Sequence, residues 1–185
     1  MKEQIERMKN LMNLNENKQV YDYGCAMLYF SDYDLKPIYS QIEPEDLYVE
    51  GDGFGLETEP HCTLLYGLHG DVTLKQVEDV LDKYTYYTCK AHNLSLFENE
   101  KYDVLKYDIK GDNLSETNED LKQYPFTTDY PNYHPHMTVE YLKPGMGKKY
   151  VEKLGKEYSE LWMEPQYAVY SQPDGTKNKI NVRVD

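Results

Sequence analysis

Two short stretches of the chain carry residue types suited to acid–base chemistry: Pro60-His61-Cys62-Thr63 and Pro135-His136-Met137-Thr138. An apolar run typical of a buried strand follows each stretch. Because alternate residues of a strand share a face, His61 should lie beside Thr63, and His136 beside Thr138. An imidazole can take or give a proton near neutral pH, and a threonine hydroxyl can donate a hydrogen bond to a charged oxygen. The two strands could therefore converge on one small anion.

This paired pattern resembles the 2H phosphoesterase superfamily, which is named for its two His-x-Thr motifs. The segment Glu57–Leu68 is most similar to the phage branch that includes the anti-CBASS cyclic-oligonucleotide phosphodiesterases. The resemblance spans roughly residues 23–184. It implies an α+β, bilobal 2H fold with pseudo-two-fold symmetry, in which antiparallel sheets line a central groove and helices lie outside. It also implies cleavage of the 3'-5' bonds of cyclic di- or trinucleotides to linear products, with no metal and no cofactor.

Cleavage of a phosphodiester beside a ribose hydroxyl requires a base, an acid and stabilisation of the charged phosphorane. His61 and His136 are the expected base and acid, in an order that the sequence leaves open. Thr63 and Thr138 are expected to donate to the non-bridging oxygens. With the 2'-hydroxyl as nucleophile no metal is needed, and a 2',3'-cyclic phosphate is the expected first product.

Other chemistries use the same region of the sequence. His134, His136 and His61 could chelate a metal, although no HExxH pattern is present. Cys62 could be a thiol nucleophile, but alternation along the strand turns it away from His61. Substrate contacts are expected among aromatic and basic residues that could equally serve packing or lie in solvent: Tyr29, Tyr66, Tyr141, Lys143 and Trp162, with Lys177 and Lys179 as further cations.

The composition points to a small ligand. The chain has 20 basic and 33 acidic residues and a net charge of −13, which disfavours long nucleic acids because their binding depends on Lys and Arg. Three cysteines without a CxxC pattern, and an acidic start without an apolar segment, predict a cytoplasmic protein with no membrane span. In a phage-encoded chain this would be the host cytoplasm.

The 185 residues suit a single domain of two lobes. Residues 31–59 read as a long loop, either a lid over His61 or a solvated connection. Periodicity and turn residues predict the remaining elements: an N-terminal helix over 2–14 with a linker to 18, strands over 21–30, 86–89, 94–98 and 102–109, helices over 71–84, 111–123 and 148–161, and a hairpin of 162–171 with 179–184.

Three functions remain in competition. The first is the phosphodiesterase that linearises cyclic nucleotides. The second is a 2H enzyme for 2'-5' linkages or for 2',3'-cyclic phosphate RNA ends. The third is a sponge that sequesters a nucleotide without cleaving it, which the intact His and Thr pairs disfavour because sequestration needs no proton transfer. The sequence determines neither base preference, ring size nor oligomeric state.

Overall fold

A computed structural model describes residues 21–50 and 54–185, so the predicted helix over 2–14 and its linker lie outside the described residues. The described residues form four α-helices and ten strands, which confirms the predicted α+β class. The helices are α1 (Lys36–Tyr39), α2 (Leu74–Leu81), α3 (Leu114–Leu121) and α4 (Gly147–Leu154). The strands are β1 (Gly24–Phe30), β2 (His61–Leu68), β3 (Thr85–Tyr86), β4 (Cys89–Glu98), β5 (Asp103–Lys110), β6 (His136–Leu142), β7 (Glu160–Met163), β8 (Pro165–Ser171), β9 (Lys177–Ile180) and β10 (Arg183–Val184).

Eight strands form one antiparallel sheet in the order β7-β4-β5-β6-β2-β1-β8-β9, and β3 and β10 form a separate parallel pair. The family resemblance implied several antiparallel sheets around a groove, whereas the structure joins the two motif strands into a single sheet. We call β2, β1, β8 and β9 the His61 half, and β6, β5, β4 and β7 the His136 half. The two halves meet where Cys62 pairs with Met137.

The helices cover one face of this sheet. Cys62 and Met137 are fully buried in the same apolar cluster as Val77 of α2, Leu121 of α3 and Leu154 of α4. Because side chains alternate across a strand, the residues on either side of Cys62 and Met137 project from the opposite, open face. The core thus fixes the direction in which both motifs point. Among the described residues, no helix has the length and apolar character needed to cross a membrane.

Several predicted elements have different limits in the structure. The predicted helix over 71–84 is α2, and Thr73 caps it through a reciprocal capping box with Gln76. Helix α4 ends at Leu154 with Gly155 as its C-cap, and the strand β7 begins at Glu160. The predicted strand over 162–171 is two strands, of which β7 pairs with β4 and β8 pairs with β1.

Two further predictions are corrected by local backbone geometry. Residues 89–98 form one strand rather than two, since Asn93 adopts a left-handed conformation (φ 56°) and the pairing shifts register there without ending the strand. Residues 31–50 and 54–59 are not an unstructured loop. They contain α1 and two short 3-10 helices, Tyr33–Leu35 and Pro44–Asp46, and Tyr39 ties them together by donating a 2.6 Å hydrogen bond to the carbonyl of Glu57.

Candidate active site

The two motifs meet at the centre of the sheet. In an antiparallel pair, the residue after Cys62 lies opposite the residue before Met137, so Thr63 is beside His136 and His61 is beside Thr138. All four motif side chains are partly exposed on the open face. The structure therefore brings together two imidazoles and two hydroxyls from segments that are far apart in the sequence.

The two imidazoles are oriented in the same way. The Nδ1 atom of His61 lies 2.9 Å from the carbonyl oxygen of Glu59, and Nδ1 of His136 lies 2.9 Å from that of His134. A carbonyl oxygen can only accept, so each Nδ1 carries the proton in the neutral ring. Nε2 of each ring is then the basic nitrogen that can accept a proton from a ligand or return one to it.

The residues before the histidines are also held in equivalent ways. The carbonyl of Pro60 accepts a 2.9 Å hydrogen bond from the backbone N–H of Phe30 on β1. The carbonyl of Pro135 accepts a 2.9 Å bond from Ile109 on β5. Since proline has no N–H of its own, these bonds anchor each strand entry through the carbonyl alone. Each histidine thus directly follows a proline whose carbonyl is hydrogen-bonded to the adjacent strand.

Aromatic rings support both imidazoles. The ring of Tyr29 stacks on His61 with centroids 5.0 Å apart, and Tyr167 stacks on the other side of Tyr29 at 5.1 Å. Phe97 meets His136 edge to face at 5.2 Å. These contacts restrict the rotation of both imidazoles. The Phe97 ring is 47% exposed and lines a cavity next to His136.

A charged pair lies beside the second motif. Lys106 and Asp108 of β5 are the cross-strand partners of Thr138 and His136, respectively, and form a salt bridge with each other. Lys106 is 8% exposed and lines the same cavity as Phe97. Its Nζ atom lies 4.8 Å from the centroid of the Phe97 ring. These two residues are the site residues that sequence reasoning missed. The alternation of Lys106 and Asp108 with apolar neighbours was visible, but the pairing of β5 with β6 was not.

Asp108 is set up to remain ionised. Burial opposes its charge, but hydrogen bonds from Lys106 and from Asn93, whose Nδ2 lies 2.6 Å from Oδ2, hold its pKa below the ordinary value. The left-handed backbone of Asn93 places this amide at the bulge of β4. An ionised Asp108 is a fixed acceptor for the Lys106 ammonium.

Cavities of different size adjoin the two motifs. A cavity of about 1020 Å³ lies on the His136 side, and its walls include Thr63, Tyr66, Phe97, Lys106 and His136. A cavity of about 270 Å³ lies on the His61 side, and its walls include Tyr29, Glu57, Glu59, His61 and Lys177. The larger volume is at the upper limit of the usual range for a small-molecule site.

The segment that enters the second motif is held against the first motif strand. Gly67 has a φ of 105°, and a Cβ atom there would lie 1.9 Å from the carbonyl oxygen of Thr127. This close approach allows the Thr127 N–H to donate a 2.9 Å bond to the Gly67 carbonyl. Farther along, the Tyr133 hydroxyl donates a 3.0 Å bond to the carbonyl of Thr63. The wall of the larger cavity is therefore coupled to the strand that carries His61.

The predicted substrate contacts divide into two groups. Tyr29 and Tyr66 lie in cavity walls, but Tyr29 is buried between two other rings, whereas Tyr66 is 47% exposed. Lys177 lines the smaller cavity, and Lys179 lies over the ring of Tyr167, with Nζ 3.8 Å from the centroid.

The remaining predicted contacts do not line either cavity. Tyr141 packs in a cluster of rings with Phe54 and Tyr102, and its hydroxyl forms a side-chain hydrogen bond with Thr138 of the second motif. The Nζ of Lys143 donates a 2.6 Å bond to the carbonyl of Glu45. Trp162 is on the edge strand β7, which two strands separate from β6, and the ammonium of Lys90 lies over its ring. Its exposed ring is therefore not in the wall of either cavity.

The structure provides evidence on the two alternative chemistries, a thiol nucleophile and a metal site. Burial raises the pKa of the Cys62 thiol to about 12, so it stays protonated and is a weak nucleophile at neutral pH. Within residues 21–50 and 54–185, no three His, Cys, Asp or Glu side chains converge in an arrangement that could hold a metal ion. Chelation experiments remain the direct test of the metal alternative.

Comparison with known proteins identifies one family. The profile of the anti-CBASS protein Acb1 family matches residues 56–167, more than half of the chain. The matched range includes both His-x-Thr motifs and the Lys106–Asp108 pair. The search of curated proteins gave no match.

Proposed function

Because the chain belongs to the anti-CBASS protein Acb1 family, we propose that it is a phosphodiesterase of the 2H type that cleaves the 3'-5' bonds of cyclic di- or trinucleotide immune signals. Its products are linear, and its place of action is the cytoplasm of a host infected by phage. The observation that carries this proposal is the pairing of Cys62 with Met137, which sets two imidazoles and two hydroxyls side by side on one open face.

The proposed reaction uses the substrate's own nucleophile. One histidine takes the proton of the 2'-hydroxyl, and the new bond forms between that oxygen and phosphorus. The bond from phosphorus to the 5'-oxygen breaks, and the other histidine protonates this oxygen. Thr63 and Thr138 donate to the charged non-bridging oxygens. A 2',3'-cyclic phosphate is the first product, and water then opens it.

A neighbouring 2'-hydroxyl explains how two histidines suffice. The ribose already holds this hydroxyl next to phosphorus, and such intramolecular placement can contribute on the order of 7–11 kcal/mol toward the barrier. A free water has no such advantage and, without a metal to acidify it, is a poor nucleophile at neutral pH.

The test is incubation with a 3'-5' cyclic dinucleotide in EDTA, followed by mass spectrometry at early times. We expect cleavage, with a transient species that is one water lighter than the final linear product. The matched control is the same ring with the attacking 2'-hydroxyl replaced by hydrogen, which should bind but resist cleavage. Efficient cleavage of the deoxy ring would rule out this route, and zinc-dependent recovery after chelation would favour the metal alternative.

A panel of substrates separates the competing functions. A cyclic 3'-5' ring, a ring joined through 2'-5' bonds and an RNA with a 2',3'-cyclic phosphate end are compared at equal concentration. We expect the 3'-5' ring to be cut fastest. Preference for either of the other two would assign the chain to the second enzyme class. Tight binding of a cyclic nucleotide without any product would identify a sponge.

A further inference from the structure

We propose that Lys106 is the phosphate-binding cation of this site, a role that rests on the proposed function for its substrate class. Lys106 lies beside Thr138 in the sheet and lines the larger cavity together with Thr63 and His136. An anion that accepts hydrogen bonds from the two threonines would therefore be next to the Lys106 ammonium.

Lys106 is buried, unlike the exposed lysines that keep a protein soluble, and this burial indicates a specific role. Burying an ammonium costs free energy unless it is paired, and Lys106 is only 8% exposed. Asp108 provides the pairing and holds the ammonium on the cavity wall. An ammonium has three N–H donors, and the salt bridge does not use them all. A donor thus remains for a ligand, in a position fixed by Asp108 and by the Phe97 ring.

The charge of the chain makes a local cation necessary. A phosphate that approaches a protein of net charge −13 is repelled on average, so its binding requires a positive group at the contact point. Lys122 also lines the larger cavity, but its salt-bridge partner is Glu119 of helix α3. The partner of Lys106 is instead Asp108, on the strand that flanks the second motif. Lys122 is therefore a matched control for Lys106.

The decisive experiment compares the binding of AMP with that of adenosine by calorimetry. The two probes differ in the phosphate, so the ratio of their affinities isolates its contribution without any need for turnover. We expect wild-type protein to prefer AMP by about tenfold or more, as for a hydrogen bond to a charged group. Lys106→Met should lose most of this preference without changing adenosine affinity, and the remainder reflects the two threonine donors. Lys106→Arg should retain most of the preference, and Lys122→Met should retain it fully.

Two results would overturn the assignment: no AMP preference in the wild type, or an undiminished preference in Lys106→Met. If Lys106→Met does not fold, Lys106→Gln carries the same comparison with a polar side chain of similar reach. The cleavage assay is scored separately. A wild type that does not cleave cyclic dinucleotides would refute the proposed reaction, whereas the ratio of AMP to adenosine affinity would still decide whether Lys106 holds a phosphate.

Discussion

The two halves of the sheet present the same His-x-Thr geometry but surround it with different side chains. In the His61 half, strand β1 places Tyr29 beside His61 and Met27 beside Thr63. Both flanking side chains are nearly buried, in a small apolar cluster with Val169. The first motif is therefore supported by rings and apolar groups.

In the His136 half, the equivalent strand β5 places Asp108 beside His136 and Lys106 beside Thr138. A charged pair thus occupies the positions that hold an aromatic and an apolar residue in the His61 half. In the proposed reaction, proton transfer and ligand binding are therefore distributed differently over the sheet. The two histidines proposed for proton transfer are duplicated, whereas charged side chains on the strand that flanks the motif occur in the His136 half.

The largest expected effect comes from the duplicated elements. His61→Ala and His136→Ala should each lower kcat by about 10²- to 10⁴-fold, because each removes one of the two proton-transfer groups. Similar losses would show that the halves are equivalent in chemistry despite their different surroundings. His69→Ala is the matched control, since His69 stacks on Tyr23 outside the motifs. Near wild-type kcat in either motif variant would sink the two-histidine mechanism.

A smaller effect is expected from the threonines, measured as kcat for Thr63→Val and Thr138→Val. Each substitution removes one hydrogen bond to a charged oxygen and keeps the shape, so a loss of about tenfold or more is expected. Thr138→Val should be the milder of the two, because Lys106 offers a second donor beside Thr138 but Met27 offers none beside Thr63. The reverse order would contradict the role of Lys106 as a second donor beside Thr138.

The aromatic supports should differ in their effect on binding. Phe97 is 47% exposed at the larger cavity, so Phe97→Leu should weaken cyclic dinucleotide binding by about fivefold, as expected for loss of about 1 kcal/mol of stacking. Tyr29 is 6% exposed between His61 and Tyr167, so Tyr29→Leu, which also removes a ring, should leave the Kd nearly unchanged. Equal effects of the two substitutions would mean that stacking is shared between the halves.

The sequence could predict the four motif residues because their arrangement is local. Histidine and threonine at i and i+2 of a strand share a face whatever the rest of the fold does. Helix α2 also follows from the short-range spacing of its apolar residues, and the structure confirms it.

The residues around the motifs depend on strand order and register, which are not local. Lys106 meets Thr138 only because β6 has an extra residue at Val139, so that the partner of Leu105 is Glu140 and the partner of Lys106 is Thr138. Trp162 was a reasonable stacking residue by type, but β7 is at the edge of the sheet. The hydrophobic periodicity of a single strand does not reveal which strands lie beside it or in which register they pair.

An equivalent bulge is present in the His61 half, where Ala26 pairs with Leu65 and Met27 with Thr63, but the residues two positions after the motif threonines differ in type. In the His61 half this position is Leu65, and in the His136 half it is Glu140. Glu140 is fully buried beside its partner Leu105, and neither carboxyl oxygen has a hydrogen-bond partner among the described residues. Burial raises the pKa of Glu140 from 4.5 to about 8. The folded protein therefore holds this carboxyl protonated at neutral pH.

The last prediction concerns the stability that this carboxyl makes dependent on pH. Between the unfolded pKa of 4.5 and the folded pKa of about 8, the folded state binds more protons than the unfolded state, so the free energy of unfolding falls as pH rises through this window. Glu140→Gln removes the titration and keeps the shape. Urea unfolding at about pH 5 and about pH 9 should show that the wild type loses stability relative to the variant, by an amount on the order of a few kcal/mol. Parallel pH dependence in both proteins would contradict a raised pKa. Because Glu140 is buried with Leu105 rather than exposed on the open face, kcat at neutral pH should be nearly the same in the two proteins.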